Sequence, residues 1–237
     1  MISRCAIALL FSLLACLTLA SPTCGATIDA ITFAAEPGKL FLPVNEALDE
    51  LKWPVGRDEM GRVLLLNELG LRAGSLRTLT DGTELVSLDL LAEAGAQVSP
   101  MDEEGRVKVG GLFRGFTLKA GAQRVVVSLK NQQLQGWQGD RLVLQTHISS
   151  GRDGRTPAGE FRAGPFRTRM HHSSLYHNAP MPWSVQINGN VFIHGFTSVP
   201  DYPASHGCIR VPLTDGNPAK FFYEWVLNGS PVSVTKD

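Results

Sequence analysis

The sequence predicts a mainly β chain: a C-terminal β-sandwich or partly closed barrel, preceded by a small duplicated α+β domain. Three observations lead there. From about residue 124 onward, short apolar runs alternate with glycine and proline and leave room for few helices. Between residues 37 and 110 the chain repeats itself with an offset of 44. The first 26 residues share the grammar of neither part.

That first stretch has the layout of a secretory signal peptide over residues 1–26. Arg4 supplies one positive charge, Ala6 to Ala20 is almost wholly apolar, and Thr18-Leu-Ala20 and Cys24-Gly-Ala26 both suit cleavage. The apolar run falls short of the ~20 residues a spanning helix needs. No second run is longer, so the expectation is an exported, soluble chain in the periplasm or cell wall, without stable membrane insertion. Leu14-Ala15-Cys16 resembles a lipoprotein site only weakly, because the apolar run continues beyond it. Twenty-two basic residues cancel 22 acidic ones and form no stripe, which argues against nucleic acid as a partner. Cys5 and Cys16 leave with the leader, and Cys24 as well if cleavage follows Ala26. Cys208 then stands alone in an oxidising compartment, either as a reactive thiol or as an inert core residue.

Residues 27–115 carry the repeat. Gly38 matches Gly82, and Asp58-Glu59-x-Gly61-Arg62-Val63 matches Asp102-Glu103-x-Gly105-Arg106-Val107. Each unit reads as a strand ending at Phe41-Leu42 or Leu85-Val86, then a helix over 45–51 or 89–94 capped by Asn45 or Asp89. A hairpin turning at the glycine follows. The four acidic residues read as solvated turn positions. Gly115 to Gln123 is expected to link this part to the next. Residues 116–237 form the β-rich part. Strands are expected over 125–129, 142–148 and 231–234, with a hairpin near Gly139-Asp140. One helix is expected over 217–227, with Pro218 in its first turn.

The chemistry concentrates late. Ile193-His194-Gly195 and Ser205-His206-Gly207-Cys208-Ile209-Arg210 lie ten residues apart, holding two of the six histidines. A thiol becomes an effective nucleophile when an imidazole takes its proton and stabilises the thiolate, so Cys208 with His194 or His206 points to covalent acyl transfer. A neighbouring strand can bring His194 beside the sulfur. If 206–208 is extended, His206 shares a face with Cys208. Gly207 lets a substrate backbone approach, and the Gly207 and Cys208 N–H groups suit an oxyanion hole. Ser205 suits holding the loop, and Arg210 suits a substrate carboxylate or a structural salt bridge. The proline-bounded stretch from Phe166 to Trp183 suits a cleft wall, with His172 and Tyr176 as substrate contacts. His171, His172 and His177 lack a carboxylate or cysteine ligand at motif spacing, so no metal and no cofactor is expected.

Residues from about 124 to 236 resemble the L,D-transpeptidase (YkuD-type) catalytic domain of bacterial cell-wall enzymes. Ser150-Gly151 with Thr156-Pro157-Ala158-Gly159-Glu160-Phe161, then Met181-Pro182, Ile187-Asn188-Gly189, Phe192-Ile193-His194-Gly195, Ser205 to Arg210 and Gly229-Ser-Pro-Val232 carry the resemblance in order. It implies Cys208 as nucleophile and His194 as base, with Gly195 and Met181 at the site. It further implies a peptidoglycan stem peptide as substrate. The acceptor would be an amine of a second stem or of a protein, or water in a carboxypeptidase. The loop between His194 and Ser205 is shorter than in better-known members. Residues 27–115 resemble the duplicated N-terminal domain of copper amine oxidases but present no copper ligand set; their position beside an enzyme-like part suggests a wall- or substrate-binding module.

Overall fold

A computed structural model describes residues 23–237. Most of the expected leader therefore lies outside the described residues, while Thr23 already begins a strand. In the N-terminal part a seven-stranded sheet runs in the order Arg77–Thr78, Glu84–Ser87, Glu36–Pro43, Thr23–Phe33, Arg114–Ala120, Arg106–Gly110, Gln97–Val98. Its two middle strands are parallel, with Ile28 opposite Leu118. Helices Val44–Leu51 and Leu88–Glu93 pack on it through Val44, Ala47, Leu48, Leu51 and Leu91, against Leu42, Phe116 and Leu118.

The repeat folds the same way twice at its turns. Asp58 Oδ1 accepts the N–H groups of Met60 and Arg62, and Asp102 Oδ1 accepts those of Glu104 and Arg106. Gly61 and Gly105 take the positive φ, +79° and +72°, that closes each turn. The caps differ from expectation, because each helix starts one residue earlier than its polar residue suggests. Ser87, rather than Asp89, caps the second helix, its Oγ accepting the Leu90 N–H at 3.1 Å. Pro43 precedes the first helix and has no side-chain acceptor to offer. Asn45 instead accepts a hydrogen bond from Arg57 at 2.6 Å.

The expected linker is also corrected. Arg114–Ala120 is a strand paired on both sides, because Phe116 and Leu118 on its inner face are fully buried. It passes directly into Gln123–Ser128, the middle strand of the second sheet. That sheet runs Arg141–His147, Gln133–Gln138, Gln123–Ser128, Pro231–Thr235, Gly159–Arg162. A third sheet, Arg167–His172, Pro180–Asn188, Val191–Phe196, Ile209–Pro212, curls against it. Helix Pro218–Trp225 packs into the same core, its N-cap Asn217 accepting from the Lys220 N–H at 3.0 Å.

The two parts share one core. Ile31, Phe33, Phe41, Leu79 and Leu85 belong to the same buried cluster as Val125, Phe221 and Trp225. Phe33 meets Phe221 edge-on at 5.8 Å, while Arg77 lies over Phe33 at 4.1 Å and reaches Glu224 at 3.4 Å. The buried Gln138 Oε1 accepts both the Trp225 indole N–H (2.9 Å) and the Thr32 N–H (3.1 Å). Arg141 donates two 2.6 Å hydrogen bonds to Glu46 across the junction.

Candidate active site

The third sheet places the candidate nucleophile and base. Strands Val191–Phe196 and Ile209–Pro212 run parallel, with Ile193 opposite Ile209 and His194 opposite Arg210. Side chains two apart share a face, so Phe192, His194 and Phe196 project with Cys208 and Arg210 to one side. All five line a cavity of about 350 Å³. Further wall comes from the 173–177 loop, from His171, Asn190 and His206, and from Met181, which is buried.

His194 is buried, and its Nδ1 lies 2.9 Å from the Gly195 carbonyl. A carbonyl only accepts, so Nδ1 carries the proton and Nε2 keeps a free lone pair for base work. Burial is the main cause that pushes the His194 pKa down to about 4, and the charge of Arg210 adds to it; the Gly195 hydrogen bond opposes the shift. The ring is therefore neutral at neutral pH. Cys208 is half-buried, its Sγ donating to the Asn190 carbonyl at 3.5 Å. Burial raises its pKa above 9.0, against a backbone hydrogen bond from Phe192 and the charge of Arg210. Burial thus favours a neutral thiol and a neutral imidazole, both lining the same cavity.

The loop before Cys208 is a tight turn rather than extended chain. Ser205 Oγ accepts the Gly207 N–H at 3.0 Å and donates to the Cys208 carbonyl at 2.6 Å. Gly207 sits at φ +144°, which favours glycine. Two expectations change. The Gly207 N–H is engaged by Ser205, so it is not an oxyanion-hole donor here. The Cys208 N–H has no hydrogen-bond partner among the described residues and stays available for that role. His206 does not reach the cavity by strand alternation. It lies at the cavity edge, stacked on Tyr176 with centroids 4.2 Å apart.

The residues around Ser150 dock this turn. Ser150 exchanges hydrogen bonds with the Gln132 amide and accepts the Ser205 N–H at 2.9 Å. Thr156 Oγ1 accepts from the Gly151 N–H (2.7 Å) and donates to the Gly207 carbonyl (2.8 Å). Gly151 must be glycine, because a Cβ there would stand 2.9 Å from Gly207 Cα.

Arg210 has no carboxylate partner among the described residues; its guanidinium lies over Phe196 at 4.1 Å. The salt-bridge alternative is therefore not what is found. Gly195 serves packing, since a Cβ would meet Leu213 at 2.5 Å and Ala219 at 3.2 Å. His172 is exposed and does not line the cavity; His171, on the opposite face of their strand, does, stacked on Phe192 at 5.1 Å. Among the described residues no three His, Cys, Asp or Glu side chains are grouped to hold a metal ion. Phe192, Phe196, Thr156 and the Asn190 carbonyl are parts of the site to which sequence reasoning assigns no role. Period-2 alternation about His194 is the signal that finds the two phenylalanines.

Residues 122–234 match the family of L,D-transpeptidase catalytic domains (YkuD). No curated protein matches the chain. Among solved structures, an L,D-transpeptidase from Xylanimonas cellulosilytica is 27% identical with a TM-score of 0.42, the match covering 48% of this chain and 61% of that one. One from Stackebrandtia nassauensis is 24% identical with a TM-score of 0.43, covering 48% and 55%. One from Mycobacterium smegmatis is 15% identical with a TM-score of 0.44, covering 91% and 96%. The chain thus spans less than two thirds of the first two.

Proposed function

We propose that the protein is an exported peptidoglycan L,D-transpeptidase using Cys208 as nucleophile. The observation that carries this is the tautomer of His194. Gly195 holds the Nδ1 proton, leaving Nε2 as an unprotonated base in the cavity that also holds the Cys208 thiol.

In the proposed reaction a stem tetrapeptide enters with the carbonyl of its third residue at Sγ. The S–C bond forms as the thiol proton passes to His194 Nε2. Negative charge on the carbonyl oxygen develops near the Cys208 N–H, a donor of the kind worth roughly 3 kcal/mol of barrier. The C–N bond to the terminal D-alanine then breaks, and the imidazolium returns its proton to the leaving amine. An acceptor amine attacks the thioester, loses a proton to the same ring and releases the thiol. A neutral resting pair suits this sequence, because the proton moves only when a substrate has displaced water from the cavity.

Export rests on the leader-like residues 1–26. Cleavage after Ala20 rather than Ala26 would keep the strand that begins at Thr23 whole. For residues 27–115, a binding role toward cell wall or substrate rests on their position beside the catalytic part alone. Hydrolysis, with water as acceptor, uses the same machinery.

Intact mass measured after exposure to a carbapenem, an acylating mimic of the stem peptide, tests the nucleophile. The expected result is one stable adduct that vanishes in Cys208→Ala. A folded protein without an adduct would overturn the assignment. With the tetrapeptide, cross-linked dimer is expected, and free tripeptide alone would mean a carboxypeptidase.

A further inference from the structure

The 151–155 loop is fastened against the Cys208 loop. Gly151 bridges Ser205, the Arg152 N–H donates to the Ser205 carbonyl at 3.0 Å, and Thr156 ties the loop to Gly207. This brings the exposed Arg152 and Arg155 close to the turn that holds Cys208. The charges of Arg152, Arg155 and Arg210 all act on His206 and, together with partial burial as the leading cause, hold its pKa down.

These cations have little to neutralise them. Arg152 and Arg210 have no carboxylate within ion-pair distance among the described residues. Arg155 has only Asp153 at 4.0 Å, whose side chain is 77% exposed. Four arginines of the N-terminal part, by contrast, are paired: Arg57, Arg62, Arg77 and Arg106 each contact a carboxylate at 3.4 Å or less. Arg152 and Arg155 are exposed on the loop hydrogen-bonded to the Cys208 turn, and Arg210 lines the cavity, so these like charges repel one another. Their planar forks do match carboxylates.

We propose that Arg152 and Arg155, with Arg210, form a cationic rim that binds free carboxylates of an anionic peptide substrate and so sets substrate charge preference. This rests on the acyl-transfer reading of the Cys208 cavity. The rim acts on the peptide beyond the reacting carbonyl, while Arg210 acts inside the cavity.

The test is calorimetric titration of the chain carrying Cys208→Ala with a stem tetrapeptide and with the same peptide fully amidated at its carboxylates. The free acid is expected to bind more tightly, with affinity falling as salt rises. Arg152→Gln/Arg155→Gln should weaken the free acid roughly three- to tenfold and leave the amidated peptide unchanged. Arg152→Lys/Arg155→Lys should recover most of the loss. Equal binding of the two peptides, or a Gln/Gln loss that is the same for both, overturns the rim. Turnover by intact Cys208 without charge discrimination overturns the rim alone. Charge-dependent binding without turnover overturns the transpeptidase reading and leaves the rim standing.

Discussion

Burial holds both His194 and Cys208 in their neutral forms, and the two therefore respond oppositely to pH. For His194 the folded value of about 4 lies below the unfolded value near 6.5, so below 6.5 the unfolded chain binds more protons. The stabilisation is fully present above pH 6.5 and is lost progressively as pH falls toward 4. It amounts to about 3 kcal/mol if only this group is counted. Thermal melts at pH 7 and pH 5 should separate clearly, and His194→Gln should narrow the gap. For Cys208 the raised value means that its alkylation by iodoacetamide keeps climbing, about tenfold per pH unit, past pH 9. A plateau near pH 7 would instead mean a thiolate stabilised at rest. The residue types were legible in the sequence: an isolated thiol, a His-Gly step and a glycine before the cysteine. The charge state was not, because it depends on how much water each group loses when the sheets close.

At the scale of the element, the strand carrying His194 is held by helix Pro218–Trp225 and Leu213 packed closely over Gly195. Gly195→Ala should destabilise the protein by about 1–3 kcal/mol, the usual cost of overpacking. Because the displaced strand carries the base, the rate of Cys208 acylation should fall as well. Urea denaturation and adduct kinetics measure the two effects separately. Helices and hairpins were readable to within a residue or two, because helical periodicity and the Asp-x-x-Gly turn are local signals. The caps were not, since Ser87 and Pro43 sit two positions before the polar residues that attract attention. The bend before Cys208 was not legible either. Ser205 Oγ competes for the Gly207 N–H, and such local side-chain bonding bends a chain that apolar alternation would leave straight.

Across the whole molecule, the family match begins at residue 122, but the buried core does not stop there. Phe33, Phe41 and Leu85 cover Phe221 and Trp225, and the amides of Gln123 and Gln138 are completed by Thr32 and the C-terminal helix. Residues 122–237 alone should therefore expose apolar surface and leave Gln138 short of a partner. That fragment is expected to aggregate or melt well below the 23–237 chain in calorimetry. Equal melting temperatures would show that the shared core contributes nothing. The sequence by itself determined the β-rich class, the repeat, the leader-like start and the candidates proposed as nucleophile and base, all carried by local pattern or by an ordered motif. Tertiary structure alone decided that the expected linker is a paired strand, that His171 rather than His172 meets the cavity, that Gly207 is engaged by Ser205, and that the 151–155 loop is fastened to the Cys208 turn. These outcomes depend on strand register and on contacts between segments far apart in the chain, where burial and pairing outweigh anything a residue's neighbours in sequence can signal.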